Sequence, residues 1–136
     1  MYSIAAAVVD ASVVLEMILG AARAEDLLDR LFSGEVLCHA PHFIDLEVLS
    51  ILRRTVLSGE AKEERAARAV HAFATFPIER HAHESYMARI WALRHNFTSY
   101  DASYVALAEA LNAPLITCDA PLARAAAKFV DVEIVR

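Results

Sequence analysis

The fold is predicted best from residues 98–119, which read TSYDASYVALAEALNAPLITCD. The first part of this stretch has apolar residues at helical spacing behind a polar start, and an asparagine and a proline then end the helix. Residues 115–116 continue as a buried strand. Asp101 therefore opens a helix and Asp119 follows a strand. In an open α/β sheet these two positions lie along one edge, so we expect both acids to face the same crevice.

Working outward from this stretch, apolar runs predict strands that alternate with helices along the whole chain. Predicted strands cover residues 4–9, 36–38, 77–80, 115–116 and 132–135, and further helices cover residues 12–19, 25–32, 41–57, 62–76, 83–94 and 121–128. Such alternation requires right-handed crossovers between parallel strands. We predict an α/β protein, a three-layer α/β/α sandwich with a mostly parallel central sheet, in a single domain over residues 1–136.

Composition limits the classes of function. The chain has only 3 glycines, which argues against the glycine-rich loops that bind nucleotide phosphates. Its net charge of -5 has the wrong sign for binding nucleic acid by bulk electrostatics, so any contact with nucleic acid must be local. Cys38 and Cys118 lack metal-ligand spacing and are expected to be reduced, as in a cytoplasmic protein. The first apolar run stops at Asp10, too short for a membrane span.

Glu47 is the most unusual acid of the chain. At 100° per residue it lies on an apolar face of the predicted helix, with no lysine or arginine three or four residues away. A buried, unpaired carboxylate costs several kcal/mol unless a cation or strong donors compensate it. Glu47 is therefore either a ligand for a hard cation, a partly exposed edge residue, or the partner of an arginine on another helix. Asp45 points away, towards His42 and Arg53, where water or a surface ion pair serves it, and it is interpreted as structural.

Three further acids have ordinary explanations when each is taken alone. Asp10, Asp101 and Asp119 can each serve the first turn of a helix, as an N-cap or as part of a capping box. Taken together, however, these three acids follow strands or begin helices at one edge of the sheet, and Glu47 interrupts an apolar helix face. Clustered carboxylates must raise their pKa values or recruit cations, and oxygen-only ligands select Mg²⁺ or Mn²⁺ over zinc.

Two hydroxyl residues stand two positions from these acids, Ser12 after Asp10 and Thr117 before Asp119. Hydroxyl groups next to metal-binding carboxylates commonly orient the carboxylates or the waters bound to the ion. We therefore predict that Ser12 and Thr117 support the four acids.

Four motifs carry a resemblance to a known family. They are VDASV at residues 9–13, APHFIDLEVL at residues 40–49, YDASYVALA at residues 100–108 and LITCDAPL at residues 115–122. Their order and spacing resemble the PIN-domain family, and specifically the VapC-type ribonuclease toxins of bacterial toxin-antitoxin pairs. The resemblance runs over nearly the whole chain.

The resemblance implies a PIN-like fold, hydrolysis of RNA, and binding of Mg²⁺ or Mn²⁺. The family positions that hold the ion match Asp10, Glu47, Asp101 and Asp119. Some members have a further acid directly after the fourth position, whereas the next acid of this chain is Asp131. One firmly held ion is therefore expected.

The resemblance also implies partners: an RNA substrate, a cognate antitoxin whose basic segment enters the acidic pocket, and a second copy of the chain in a homodimer. Local bases could meet the RNA phosphates, and the candidates are Arg94 and Asn96, with His95 between them, and Arg53 and Arg54. The apolar residues considered for the dimer contact are Leu15, Ile18, Met87, Ile90 and Trp91, although core packing explains each of them as well.

Two other functions stay open at the level of sequence. A phosphatase of the haloacid-dehalogenase type also places an aspartate after its first strand, but it requires a second one where this chain has Ser12. A dimeric regulatory module without catalytic activity would use the same acidic pocket to bind a basic peptide. Cleavage of RNA, release of phosphate from a monoester, and peptide binding alone distinguish the three.

Overall fold

The computed structural model describes residues 5–136 and confirms the predicted α/β/α fold with its central parallel sheet. The five strands are β1 (Ala5–Val9), β2 (Val36–Pro41), β3 (Ile78–His81), β4 (Leu115–Thr117) and β5 (Val132–Ile134). Their order across the sheet is β3-β2-β1-β4-β5, and every neighbouring pair is parallel. The first residue predicted for β1, Ile4, lies outside the described residues.

Seven α-helices connect and cover these strands. They are α1 (Ala11–Ile18), α2 (Ala24–Leu31), α3 (Ile44–Leu57), α4 (Glu63–Ala74), α5 (Met87–Ala92), α6 (Ser99–Leu111) and α7 (Ala120–Ala126). Helix α6 packs against β1, β2 and β4, whereas α2 packs against β2 and α1 against β4. The central strand β1 ends in fully buried valines, as expected for a parallel sheet that is covered on both faces.

Helix α6 holds the stretch from which the fold was predicted. All residues from 102 to 108 are buried, because the helix lies between the sheet and its neighbours. Its first turn is the more open part, since Ser99 and Tyr100 are exposed and Asp101 is half-buried. Asn112 ends the helix in the left-handed conformation, at φ 50°. The helix therefore fixes Asp101 firmly while leaving its carboxylate at the edge of the sheet.

Two predicted element boundaries were wrong. Pro41 does not begin the long helix; it is the last residue of β2, and α3 starts at Ile44. The ladder passes beyond this proline because the amide of His42 donates to the carbonyl of His81. The helix predicted for residues 83–94 is shorter than expected: a 3₁₀ turn at Glu84–Tyr86 precedes α5.

The two cysteines are free thiols, as predicted. Cys38 is buried in the sheet, and Cys118 is half-buried after β4. Within residues 5–136, no helix has both the length and the apolar character needed to cross a membrane.

Candidate active site

Asp10 is the central acid of the site and stands directly after β1. Its side chain is only 6% exposed. One carboxylate oxygen accepts hydrogen bonds from the Ser12 hydroxyl (2.5 Å) and the Val13 amide (3.2 Å), and the other accepts the Thr117 hydroxyl. A carboxylate offers about four acceptor positions, so three of them are used inside the protein. One position is left for a group outside this network.

The hydroxyls of Ser12 and Thr117 connect Asp10 to the end of β4. Besides donating to Asp10, the Ser12 hydroxyl accepts the amide of Cys118 at 2.9 Å. The Thr117 hydroxyl accepts the amide of Asp119 at 3.0 Å. Each hydroxyl thus donates once and accepts once, which fixes its orientation. The position of Asp119 is therefore coupled to that of Asp10 through Thr117.

Glu47 reaches the same region from α3. It is half-buried, and the Tyr104 hydroxyl of α6 donates to its Oε1 at 2.7 Å. Burial raises the pKa of Glu47, the Tyr104 hydrogen bond lowers it, and the charges of Asp101 and Asp10 raise it further. Within residues 5–136 Glu47 forms no ion pair with an arginine, so that explanation does not apply there.

Asp101 and Asp119 complete the group, which we call the carboxylate crevice: Asp10, Glu47, Asp101 and Asp119. Burial raises the pKa of Asp101, and the charges of Asp119 and Asp10 add to the shift. Burial also raises the pKa of Asp10, with a smaller contribution from Asp119. Each acid thus lies within the electric field of at least one other. Over residues 5–136 the crevice contains no compensating cationic side chain in an ion pair with these acids.

The helix-capping explanation also holds for two of these acids. Asp10 caps α1 through the Val13 amide, and Asp119 caps α7 through the Leu122 amide at 3.1 Å. At α6 the cap is Thr98, whose hydroxyl accepts the backbone amide of Asp101 at 3.2 Å. Because capping orients a carboxylate without neutralising it, Asp10 and Asp119 keep the charge that repels the neighbouring acids.

The donor set of the crevice fits a hard divalent cation. All four side chains offer oxygen, and burial raises the pKa values of Asp10, Glu47 and Asp101, so a cation would be attracted strongly. In the described part of the chain, no three of these acids bring one oxygen each within 4.8 Å of one another. Mg²⁺ keeps several of its waters when it binds, and water molecules can span such a spacing. The arrangement therefore suits a partly hydrated ion better than a tight cage.

Four residues were considered for contact with RNA, and the structure separates them. Arg54 lines a groove of about 300 Å³ together with Glu47, Phe43 and Tyr100. Arg94 lines a second groove of about 660 Å³, and its guanidinium lies 4.5 Å from the centre of the Trp91 ring. Arg53 and Asn96 are exposed but line neither groove. Of these four residues, Arg54 and Arg94 therefore border the two grooves.

Sequence reasoning missed two contacts at the site. It did not single out Tyr104, although that residue is three positions after Asp101 and so lies on the same face of α6. It also gave Asp45 the wrong neighbours. Asp45 pairs with Arg80 of β3, at 2.7 Å, rather than with His42 or Arg53. The strand partner was invisible because its register against α3 cannot be read from spacing.

Comparison with known proteins decides the family. The family model of the PIN domain matches residues 7–128. The chain belongs to the PIN-domain family. It is 42% identical over 130 residues to Ribonuclease VapC1 of Mycobacterium tuberculosis, covering 95% of this chain and 97% of that protein. Within the PIN-domain family, the chain therefore belongs with the VapC ribonucleases, and a haloacid-dehalogenase phosphatase is not favoured.

Solved structures of PIN-like proteins support the fold independently. A crystal structure of PAE2754 from Pyrobaculum aerophilum matches with a TM-score of 0.67 at 21% identity, over 93% of this chain and 83% of that one. A crystal structure of VapBC2 from Rickettsia felis bound to a DNA fragment from their promoter matches with a TM-score of 0.64 at 15% identity, over 95% of this chain and 98% of that one. These similarities place the five parallel strands and their helices in the PIN-like architecture.

Proposed function

We propose that the chain is a Mg²⁺- or Mn²⁺-dependent endoribonuclease, the toxin of a toxin-antitoxin pair that acts in the cytoplasm. The observation that carries the proposal is the carboxylate crevice itself. Four acids from distant parts of the sequence border a region that runs from the buried Asp10 to the exposed Asp119, and three of them have pKa values raised by burial and by neighbouring acids. This unfavourable arrangement suits a PIN-domain ribonuclease, because a bound divalent cation would offset the repulsion between the carboxylates and activate water for hydrolysis.

In this proposal the four acids hold the ion, and each contributes in its own way. A bound Mg²⁺ or Mn²⁺ would polarise the phosphodiester and lower the pKa of the attacking water. Asp10 offers its single remaining acceptor position, while Ser12 and Thr117 keep its carboxylate in one orientation. Glu47 is held by the Tyr104 hydroxyl. Asp101 or Asp119 orients the attacking water and accepts its proton.

The grooves beside the crevice supply the proposed RNA contacts. Tyr100 is 61% exposed and borders both grooves, next to Arg54 in one and Arg94 in the other. An exposed aromatic ring beside an arginine can stack on an unpaired base while the arginine meets a phosphate. The substrate we propose is therefore single-stranded or looped RNA. Arg53 and Asn96 remain weaker candidates, since they border neither groove.

An antitoxin with a basic segment is the proposed protein partner. VapBC2 of Rickettsia felis is named as a complex of two kinds of chain, and it shares this fold. A lysine or arginine inserted among the four acids would satisfy the same unpaired charge that an ion satisfies, and would exclude it.

A homodimer is the second proposed partner interaction. Met87 and Trp91 are 61% and 68% exposed and offer apolar contact area on α5. Leu15 and Ile18, considered for the same contact, pack in or against the core. Ile90 is packed against the core as well, so only Met87 and Trp91 of the five candidates are largely exposed.

The decisive experiment compares two acids of one helix. Purified, partner-free protein is incubated with RNA in Mg²⁺, in Mn²⁺ and with a chelator, and Glu47→Gln is set beside Asp45→Asn. We expect metal-dependent cleavage that Glu47→Gln reduces by about a hundredfold or more, while Asp45→Asn leaves it nearly unchanged. Asp45 is the matched control because its charge is already compensated by Arg80.

The remaining outcomes decide against the proposal. Cleavage that persists in chelator would remove the ion from the mechanism. Equal losses from both substitutions would indicate damage to α3 rather than loss of a ligand. Release of phosphate from a monoester without cleavage of RNA would favour a phosphatase. Tight binding of a basic peptide with no hydrolysis of either substrate would leave the regulatory module.

A further inference from the structure

A second group of ligand-type side chains lies on the other half of the sheet, and we call it the histidine cluster: His39, Glu79 and His81. One nitrogen or oxygen atom from each of these residues lies within 4.8 Å of one atom from each of the others. The Nδ1 atom of His39 is 2.8 Å from the Nε2 atom of His81 and 3.9 Å from the Oε2 atom of Glu79. Over residues 5–136 this is the only group of three or more such side chains that converges so tightly.

The sheet itself produces this convergence. His39 of β2 and Glu79 of β3 are partners in the parallel register, and His81 is two residues further along β3. Residues two apart on a strand point to the same face, so all three side chains share one face of the sheet. The opposite face is occupied by Cys38, whose thiol approaches the Leu31 carbonyl of α2. The position of the cluster is thus set by backbone pairing rather than by flexible loops.

The three residues differ in exposure in a way that suits a ligand site. The His39 side chain is 8% exposed and the Glu79 side chain is 55% exposed, with His81 between them. His39 is therefore the buried ligand of the cluster, and Glu79 lies where an ion from solvent can reach it. The other charged residue of β3, Arg80, is engaged with Asp45, so it does not compete for the Glu79 carboxylate.

The short contact between the two rings also has a chemical consequence. A hydrogen bond between two imidazole nitrogens needs one donor and one acceptor, so an ion can bind both nitrogens once the donor ring carries its proton on its other nitrogen. Both nitrogens and the Glu79 oxygen surround a common point. Two imidazole nitrogens and one carboxylate oxygen form the three-ligand set found at open zinc sites, with a fourth position left for water.

We infer that the histidine cluster binds Zn²⁺ or a similar divalent transition-metal ion, separately from the carboxylate crevice. The nitrogen ligands suit a borderline ion, whereas the crevice offers only oxygen to a hard one. At zinc-nitrogen distances of about 2.0–2.1 Å in tetrahedral geometry, the two ring nitrogens would stand roughly 3.3 Å apart. The present separation of 2.8 Å would therefore widen by roughly 0.5 Å, which a small rotation of the half-buried His81 ring would supply.

Such an ion would join two strands at the edge of the sheet. β3 is the terminal strand, paired only with β2. Two ligands come from β3 and one from β2, so a bound ion would add a cross-link where the sheet has a free edge. An ion that binds the folded chain and not the unfolded one raises the melting temperature with its concentration.

The test titrates the metal-free full chain with Zn²⁺ while excess Mg²⁺ is present to occupy the carboxylate crevice. We expect one high-affinity Zn²⁺ per chain by competition with a coloured chelator. Saturation should raise the melting temperature by roughly 5–10 °C. Co²⁺ in place of Zn²⁺ should give the intense visible absorption of a four-coordinate site. Glu79→Gln and His81→Gln should each weaken Zn²⁺ binding by about 100-fold or more, since a direct ligand is lost.

Matched controls separate this site from the crevice and from damage to the fold. His83→Gln changes an exposed histidine just beyond β3 and should leave Zn²⁺ binding unchanged. Glu79→Gln and His81→Gln should retain their circular-dichroism spectra and any RNA cleavage in Mg²⁺. Asp101→Asn should lose RNA cleavage but keep Zn²⁺ binding.

Three results would overturn the inference. One is the absence of a Zn²⁺-dependent shift in the unmodified chain. Another is Zn²⁺ binding that survives both Glu79→Gln and His81→Gln. The third is Zn²⁺ binding that disappears with Asp101→Asn, which would place the ion in the crevice. None of these depends on whether the chain cleaves RNA.

Discussion

The carboxylate crevice and the histidine cluster lie on one sheet but differ in how their carboxylates are compensated. In the crevice, acids raise one another's pKa values, and no basic side chain within residues 5–136 forms an ion pair with them. In the cluster, the Glu79 carboxylate lies beside two imidazoles that can hydrogen-bond to each other without any ion. The crevice therefore leaves its negative charge without a cationic partner among these residues, whereas the side chains of the cluster already satisfy one another.

The largest effect is expected from removing one negative charge from the crevice. Asp101→Asn should lower RNA cleavage by about a thousandfold, because an ion ligand and a candidate base are lost. It should not lower the melting temperature of the metal-free protein, because repulsion with Asp119 and Asp10 is relieved. Cleavage assays and thermal unfolding in chelator check both expectations. A large loss of stability together with activity would mean that Asp101 is mainly structural.

The support beneath Asp10 provides the second prediction. Thr117→Val keeps the shape of a fully buried side chain but removes the hydroxyl that donates to Asp10 and accepts from Asp119. We expect cleavage to fall about 10- to 100-fold, and unfolding to become easier by about 1–3 kcal/mol. Thr75→Val is the control, because its hydroxyl bonds only a carbonyl at the exposed end of α4. Equal effects of both substitutions would contradict a special role for Thr117.

A smaller and more specific effect is expected from removing the Tyr104 hydroxyl, which donates to Glu47. Tyr104→Phe keeps the buried ring against Phe43 but deletes the hydrogen bond to Glu47. Since that bond lowers the pKa of Glu47, its loss should raise the pKa further and weaken Mg²⁺ binding by about tenfold. The Mg²⁺ concentration giving half-maximal cleavage, measured across a pH series, tests this. An unchanged midpoint would show that the Tyr104 hydroxyl serves packing alone.

The smallest expected effect is a pH dependence of stability without metal. The pKa values of Asp10, Glu47 and Asp101 are raised in the folded chain above their ordinary values of 3.8 for Asp and 4.5 for Glu. The folded state then binds more protons than the unfolded state between the ordinary and the raised values, so stability falls as pH rises through that window. Lowering the pH from neutral towards the ordinary values should therefore raise the melting temperature in chelator by a few degrees relative to the same change in saturating Mg²⁺.

Saturating Mg²⁺ provides the control for the pH experiment. A bound ion favours the charged carboxylates, so the protein should no longer gain stability as the pH is lowered. A melting temperature that rises equally with and without Mg²⁺ would assign the effect to groups outside the crevice.

The sequence predicted the fold well because its signals were local and repeated. Each strand except β5 is followed by a helix, and each apolar run has the length of its element. The errors arose where tertiary pairing outweighs local preference. Pro41 looked like a helix start, but β3 pairs with it and extends β2 instead. The helix predicted for residues 83–94 was shortened by the 3₁₀ turn at its beginning.

The site was predictable only in part, for a related reason. Acids after strands and before helices could be placed on one edge from topology alone. The partners across elements could not, because they depend on helix rotation and strand register. Tyr104 with Glu47 and Asp45 with Arg80 are such pairs. The histidine cluster is another, because His39 and Glu79 meet through the register of two strands that are far apart in the sequence.

The position of β5 has a consequence for the strand beside it. The amide of Val135 donates to the Thr117 carbonyl at 2.8 Å, and the Leu115 amide donates to the Asp131 carbonyl at 2.9 Å. β5 thus covers one side of β4, whose other side pairs with β1. This outermost strand contributes none of the four acids, yet it braces the backbone from which the Thr117 hydroxyl reaches Asp10.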